Sequence, residues 1–457
     1  MASDLIAAVA TGRGKTAIGV VRLSGPGAAR AAGAVFSASD GRPLESHPPR
    51  ALVYGTLRDR EGRAMDRILA TWSPEGSSYT GEETAELQCH GSPLVLSLAL
   101  EALFAQGARQ AGPGEFTRRA FLNGRLDLTQ AEAVMDLIDA ETSAAVRQAA
   151  GQLSGALSRR VEEVYDGLVD VMAHFHAVLD YPDEDIDPFT EETISAALAR
   201  ATGELKALLA TYDRGRITRE GVATAIVGRP NVGKSTLLNA LVGYERAIVT
   251  DIPGTTRDTV EEKCVLGGVL LRLIDTAGIR ETGDQVEKIG VERSRRAMEG
   301  AGLILVVMDQ SAPATEEEFA LLRQAMDLAP TILIRSKTDL PPAPIPVVNF
   351  KLPPQVCMSA KTSPERAAAE LGEAVAALFP QGAEEDGELL TNARQAEAAS
   401  RALEAVGRAG EALAAGVTPD ALLTDVEEAL SALGELTGRA VREDVTNRIF
   451  SRFCVGK

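Results

Sequence analysis

The spacing of hydrophobic residues changes character three times along the chain. Up to about residue 119, short alternating runs are broken by glycine turns. Ala17 to Leu23 and Ala51 to Leu57 read as strands, and Leu94 to Phe104 as a helix. From Phe121 to about Tyr212, apolar residues recur at spacings of three and four, as in Ala131-Val134-Ile138 and Leu157-Val161-Val164-Leu168, which predicts helices. From about Gly221 to Phe379, short apolar runs alternate with helical stretches. The runs are Val222–Val227, Val269–Ile274, Leu303–Met308, Thr331–Ile334 and Val356–Ser359, and they predict a mostly parallel sheet covered on both faces. From Glu388 to Phe453 the Ala-, Leu- and Glu-rich helical texture returns. The simplest account is one helical domain into which the sheet domain is inserted, with Gln381 to Gly387 as the return crossing. The expected domains are therefore 1–119 (α+β), 120–215 (helical), 216–380 (α/β, inserted) and 381–457 (helical, second part).

Composition changes this picture little. The chain has 457 residues, 45% of them hydrophobic, enough for about three cored domains. Its net charge of −18 argues against a generally basic nucleic-acid wrap, while leaving room for a local basic patch. No apolar run approaches the roughly 18 residues needed to cross a membrane, and Met-Ala-Ser-Asp-Leu lacks the basic start of a signal peptide. Cys89, Cys264, Cys357 and Cys454 are scattered and form no C-x-x-C pair, which points to a reducing cytoplasm and to neither a zinc site nor a disulfide framework. Asp183, Asp185 and Asp187 imitate the start of a calcium loop, but Pro188 and Ile194 stand where glycine and glutamate are required, so the stretch reads as an acidic turn. His174 and His176 face different sides of a helix and do not form a metal pair.

The chemistry concentrates after Val222–Val227. Gly228-Arg229-Pro230-Asn231-Val232-Gly233-Lys234-Ser235 has the spacing of a phosphate-binding loop, followed by a helix beginning Thr236-Leu237-Leu238. Backbone N–H groups and the helix N-terminus would face one anion, Lys234 would reach the β- and γ-phosphates, and Ser235 would ligate Mg²⁺. Gly14-Lys15-Thr16 is a decoy, because Val9 stands where the first glycine belongs. Four segments follow in order. In Gly254-Thr255-Thr256, Thr256 would complete the Mg²⁺ shell. In Asp275-Thr276-Ala277-Gly278, Asp275 would hold Mg²⁺ through water and the Gly278 N–H would meet the γ-phosphate. In Ser336-Lys337-Thr338-Asp339, Asp339 would accept from the guanine N1–H and 2-amino groups. Ser359-Ala360-Lys361 would close over the base edge. A set in this order, at the C-terminal ends of strands, resembles the translation-factor-related GTPases. Two departures stand out. Ser336 replaces the usual Asn, which removes a hydrogen bond that braces the base. Ile279 stands where Ras-like proteins orient water with glutamine.

Over essentially its full length the chain resembles the MnmE (TrmE) family of tRNA-modification GTPases. The resemblance is carried by the nucleotide motifs, by Gly19–Gly25, Tyr79–Gly91 and Gly112–Leu128, and by the terminal Cys454-Val455-Gly456-Lys457. Taken alone, Arg22 and Glu86 in those segments read as surface charges on edge strands. The resemblance implies an N-terminal folate-binding and dimerisation domain, a discontinuous helical domain and an inserted Ras-like G domain. It implies a GTP hydrolase whose nucleotide contacts span 231–236, Thr250-Asp251-Ile252-Pro253-Gly254-Thr255-Thr256, 275–278, 336–339 and 359–361.

It further implies that K⁺ is held by Asn231, Thr250, Ile252 and Thr255, supplying the charge of an arginine finger. Glu287, which its surroundings alone would make a solvent-facing helix residue, would orient the water. Arg22, Glu86, Arg125 and Lys457 would bind 5-formyltetrahydrofolate, and Cys454 would be a free thiol available for chemistry. The implied assembly is a cytoplasmic homodimer acting on tRNA with the flavoprotein MnmG, away from membranes and DNA, to place a (carboxymethyl)aminomethyl group on C5 of the wobble uridine. Two rivals are a GTP switch that only binds RNA and a folate-dependent methyltransferase carrying a regulatory G domain. The first leaves Arg22, Glu86 and the Cys454 tail without a purpose.

Overall fold

A computed structural model describes residues 4–12, 14–180, 191–244, 262–274, 297–344, 349–380, 387–416, 419–439, 446, 449–451 and 453–456. The acidic turn, most of the return crossing and the side chains of His174 and His176 lie outside the described residues. The chain divides into two compact units, Met1–Met135 with Leu430–Lys457, and Asp136–Ala429.

The first unit is built on a seven-stranded sheet. Its strands are β1 (Ile6–Val9), β2 (Ile18–Ser24), β3 (Phe36–Ala38), β4 (Val53–Arg58), β5 (Ala64–Ser73), β6 (Thr84–His90) and β7 (Arg109–Gln110), in the spatial order β3-β4-β5-β6-β2-β1-β7. Alternation sorts the two faces. Val21 and Leu23 of β2 and Ala85, Leu87 and Cys89 of β6 point into a core completed by helices Ala28–Val35 and Pro93–Ala105. The alanine-rich faces of both helices let them sit close, and Gly19 makes room for Leu96, whose Cδ1 would lie 2.6 Å from an added Cβ. Arg22 and Glu86 belong to interior strands, contrary to the edge-strand reading. Burial of both flanks made them interior, and that is a non-local fact. The end of the chain closes the unit. Phe450 and Phe453 pack with Ala131, and Val455 bridges Pro113 while covering Ile6, Ala8, Ala111 and Phe116.

In the second unit, helix Glu191–Ala210 packs against Ala156–Asp180 and Ala393–Ala414. The segment that re-enters these helices is held by polar clamps. Gln152 and Gln148 both donate to the Leu389 carbonyl, at 2.7 and 3.3 Å, the Gly387 N–H donates to Gln148 Oε1, and the Leu390 N–H donates to Thr211 Oγ1. Asn392 then caps helix Ala393–Ala414 by accepting from the Gln395 N–H.

Six strands form the sheet of the same unit: β8 (Val222–Val227), β9 (Glu262–Leu266), β10 (Val269–Ile274), β11 (Leu303–Asp309), β12 (Thr331–Ser336) and β13 (Gln355–Cys357), ordered β13-β12-β11-β8-β10-β9. All pairings are parallel except β9 with β10. β10 was expected, but β9 and the hairpin it makes with β10 were not. The hairpin's signal is the Gly267-Gly268 pair, with φ of +58° and +81°, the two-residue turn that suits the twist of paired strands. β8 and β11 are buried almost throughout, as strands covered on both faces must be.

The return segment yields a test. An added Cβ at Gly215, in helix Tyr212–Glu220, would lie 2.1 Å from the Leu390 carbonyl oxygen. Gly215→Ala is expected to destabilise the protein by about 1–3 kcal/mol through overpacking. Gly410→Ala, in a helix with open space around it, should be neutral or stabilising. Urea unfolding midpoints of the two variants check the contrast.

Candidate functional site

The phosphate loop leaves β8 through three residues with positive φ: Gly228 (+150°), Asn231 (+63°) and Gly233 (+104°). At Gly228 the left-handed backbone and the neighbour both require glycine, because an added Cβ would lie 2.3 Å from the Val307 carbonyl oxygen on β11. Helix Lys234–Tyr244 starts directly after the loop, so its N-terminus faces the loop. Lys234 Nζ donates to the Gly228 and Arg229 carbonyls, both at 2.7 Å, which places the ammonium inside the loop it is expected to serve. Burial lowers its pKa from the ordinary lysine value. Val232 is buried, Ser235 is half-buried and Thr236 is exposed at the helix start.

The base-reading segments meet this loop from the side. Ser336, 8% exposed at the end of β12, donates its hydroxyl to the Val232 carbonyl at 2.6 Å and faces the Met308 carbonyl at 3.1 Å. Lys337, with φ of +60°, pairs its ammonium with Asp309 Oδ2 at 2.6 Å. Burial would raise the Asp309 carboxyl, but the Lys337 and Ser311 donors outweigh it and hold the group below its usual value. Asp339 is exposed and accepts from the Ser359 hydroxyl at 2.6 Å, the main cause of its lowered pKa. It therefore stays an anionic acceptor at neutral pH. Thr338 N–H meets the Met358 carbonyl, and Ala360 and Lys361 follow on the same turn. Segments 231–236, 336–339 and 359–361 thus gather at the C-terminal ends of β8, β12 and β13. Thr250 to Thr256, Asp275 to Gly278, Glu287 and Lys457 lie outside the described residues. Asp309 was missed in the sequence. The available signal was a carboxylate ending the apolar run of a parallel strand.

A second polar cluster lies on the open face of the first unit's sheet. Register sets Arg22 directly opposite Glu86, and Glu86 opposite Thr71. Arg22 Nε donates to Glu86 Oε1 at 2.8 Å, and its guanidinium stands 5.8 Å from the centre of the Phe116 ring. Tyr79 OH lies 3.0 Å from Thr117 Oγ1, and burial raises the Tyr79 pKa despite the opposing charge of Arg22. Arg125 lies along the same loop, its Nη1 3.4 Å from the Gly76 carbonyl. Thr71 Oγ1 is buried without a hydrogen-bond partner. Val455 packs on the cluster that includes Phe116, while Cys454 is exposed with its carbonyl accepting from the Gly114 N–H at 3.3 Å. The fold thus brings the tail to the residue on which Arg22 stacks. Tyr79, Phe116 and Thr71 were not singled out from the sequence, since each reads there as ordinary strand or core material.

Two family descriptions match the chain: "GTP-binding protein TrmE N-terminus" over residues 5–125 and "MnmE helical domain" over residues 128–454. The chain is 46% identical over 459 residues to the tRNA modification GTPase MnmE of Akkermansia muciniphila, covering 99% of this chain and 98% of the relative. It is 43% identical to that of Chloroflexus aurantiacus and 44% identical to that of Symbiobacterium thermophilum, with both chains fully covered in each case.

Lys234 contributes the ammonium at the loop, so Lys234→Ala is expected to abolish guanine-nucleotide binding in equilibrium dialysis. If Asp339 accepts from the guanine edge as expected, the parent prefers GTP to ATP. Equal affinity for the two would refute the role given to Asp339.

Proposed function

The chain belongs to the MnmE family of tRNA modification GTPases, and from that premise we propose a cycle in which GTP hydrolysis in the inserted sheet domain drives modification chemistry at the N-terminal domain. The observation that carries the nucleotide half is the tie between Ser336 and the Val232 carbonyl, which holds the base-reading and phosphate-binding segments at a fixed separation. Lys234 then neutralises the β- and γ-phosphates, the loop N–H groups and helix N-terminus accept the remaining charge, and Asp339 selects guanine.

Among the described residues, no group of three or more His, Cys, Asp or Glu side chains is placed to hold a metal. The proposed cation ligands are hydroxyl, amide and carbonyl oxygens, donors that suit Mg²⁺ and K⁺. Ser235 and Thr256 are the proposed Mg²⁺ ligands, and Asn231, Thr250, Ile252 and Thr255 the proposed K⁺ ligands. When bound, the cations would supply charge compensation between the phosphates. Glu287 would orient the attacking water in place of the glutamine that Ile279 displaces.

For the N-terminal half, the Arg22–Glu86 pair, the unpartnered Thr71 hydroxyl and the stacked Phe116 support a site for a planar heterocycle with an acidic tail. A folate matches that chemistry, with Arg22, Glu86, Arg125 and Lys457 as its contacts and a one-carbon unit as what it supplies. The reading includes a homodimer acting with MnmG on C5 of the wobble uridine, in the cytoplasm. Mass spectrometry of wobble uridines in cells lacking this protein tests it as a whole, and unchanged modification would refute it.

Two variants divide the activities. Glu287→Ala should leave GTP affinity near that of the parent while kcat falls by about a hundredfold or more, the scale of a lost positioning group. Equal hydrolysis in KCl and NaCl at one ionic strength would refute the K⁺ role. Cys454→Ser preserves size and lies outside every nucleotide motif, so hydrolysis should hold while modification stops in a complementation assay. Full modification by that variant would show that the thiol is not chemically required, leaving the tail a packing or folate-binding role.

A further inference from the structure

Ser336 stands where the related pattern has asparagine, and its surroundings give it a definite task. Its hydroxyl is buried between two carbonyls, Val232 of the phosphate loop at 2.6 Å and Met308 at the end of β11 at 3.1 Å. A hydroxyl carries one proton, so it donates to only one of these oxygens at a time, and the shorter contact falls on the phosphate loop. Nothing in this geometry directs Ser336 toward a base. The neighbouring contacts strengthen the bracket. Asp309, next to Met308 on β11, pairs with Lys337, next to Ser336 on β12. An added Cβ at Gly233 would sit 3.8 Å from Ser336 Oγ, an ordinary contact distance, so the serine side chain also packs along the loop's last glycine.

We infer that Ser336 is a positioning residue for the phosphates and not a contact of the guanine base: its single proton holds the Val232 carbonyl, and so sets the loop that receives the phosphate groups. The inference rests on the nucleotide-site reading and deepens it. It gives the serine a task separate from the base-bracing hydrogen bond expected of an asparagine. An asparagine amide offers two N–H donors where the hydroxyl offers one, so it could serve both carbonyls together.

The experiment measures equilibrium affinities of the full-length protein for GTP and for inorganic tripolyphosphate. Both are measured with Mg²⁺, by competition against a fluorescent guanine nucleotide. Tripolyphosphate engages the loop and has no base. Ser336→Ala is expected to weaken both ligands by a similar factor, about fivefold to thirtyfold, the scale of losing a buried donor. Ser336→Asn is expected to restore both. Thermal unfolding without nucleotide identifies any variant that fails to fold. Binding by Ser336→Ala within twofold of the parent would overturn the proposal. So would a loss confined to GTP with tripolyphosphate unchanged, or a folded asparagine variant as weak as the alanine one. A parent that binds no guanine nucleotide would instead remove the nucleotide reading itself.

Discussion

The buried carbonyl of Leu389 is the point on which the second unit's topology depends. A sheet of six strands is inserted between helices, so the chain must leave the helical layer and return to it. From Gly387 on, the described part of the returning segment forms no strand and must find partners for its own polar backbone. Gln148 and Gln152 supply two amide donors to one carbonyl, Thr211 receives the next N–H, and Gly387 and Gly215 bring the backbones close enough for this to work. Leaving such a buried acceptor without donors costs about 1–3 kcal/mol. The helical layer thereby holds both ends of the insert, while the strands carry the phosphate and base loops at their outer rim.

Polar side chains at strand ends repeat this logic in smaller form. Ser336, Lys337 and Ser359 each spend a donor on a neighbouring loop or strand end. These contacts fix the described part of the rim by the chain's own hydrogen bonds, and such fixing lowers the ordering cost of binding. The N-terminal sheet differs. Its Arg22–Glu86 pair lies in register across two interior strands, partly buried beside Phe116 on the face opposite helices Ala28–Val35 and Pro93–Ala105. Charge there is neutralised internally and remains available to a ligand carrying both a donor edge and an anionic tail.

Much of this was legible in the sequence where the signal is local. The runs at Val222, Val269, Leu303 and Thr331 became β8, β10, β11 and β12, because a strand buried on both faces must be apolar throughout. The phosphate loop was readable because the G-x-x-x-x-G-K-S spacing between an apolar run and a helix start leaves few alternatives. What escaped depends on pairing across distance. β9 is mostly polar at its start and forms only because β10 lies beside it. Arg22 and Glu86 are separated by more than sixty residues, so nothing local distinguishes an interior pair from two edge charges. Gln148 and Gln152 look like solvent-facing residues of an alanine-rich helix until the distant carbonyl is in place. Asp309 had a local signal as the carboxylate ending an apolar run, but its pairing with Lys337 on the next strand could not be read there.

The docking of the tail has a consequence in time. Gly456 passes so close to Val9 that an added Cβ would lie 2.2 Å from the Val9 carbonyl oxygen, and Val455 covers Ile6, Ala8 and Phe116. The strand and its cover are more than four hundred residues apart in the chain. At a synthesis rate of 5–20 residues per second, the first strand waits roughly 20–90 s on the ribosome before that cover exists. Throughout that interval the nascent chain presents an uncovered apolar patch beside its open polar face. The partly made protein is thus the form most in need of chaperone protection, and a transcript broken near its 3′ end would yield chains whose N-terminal sheet never closes.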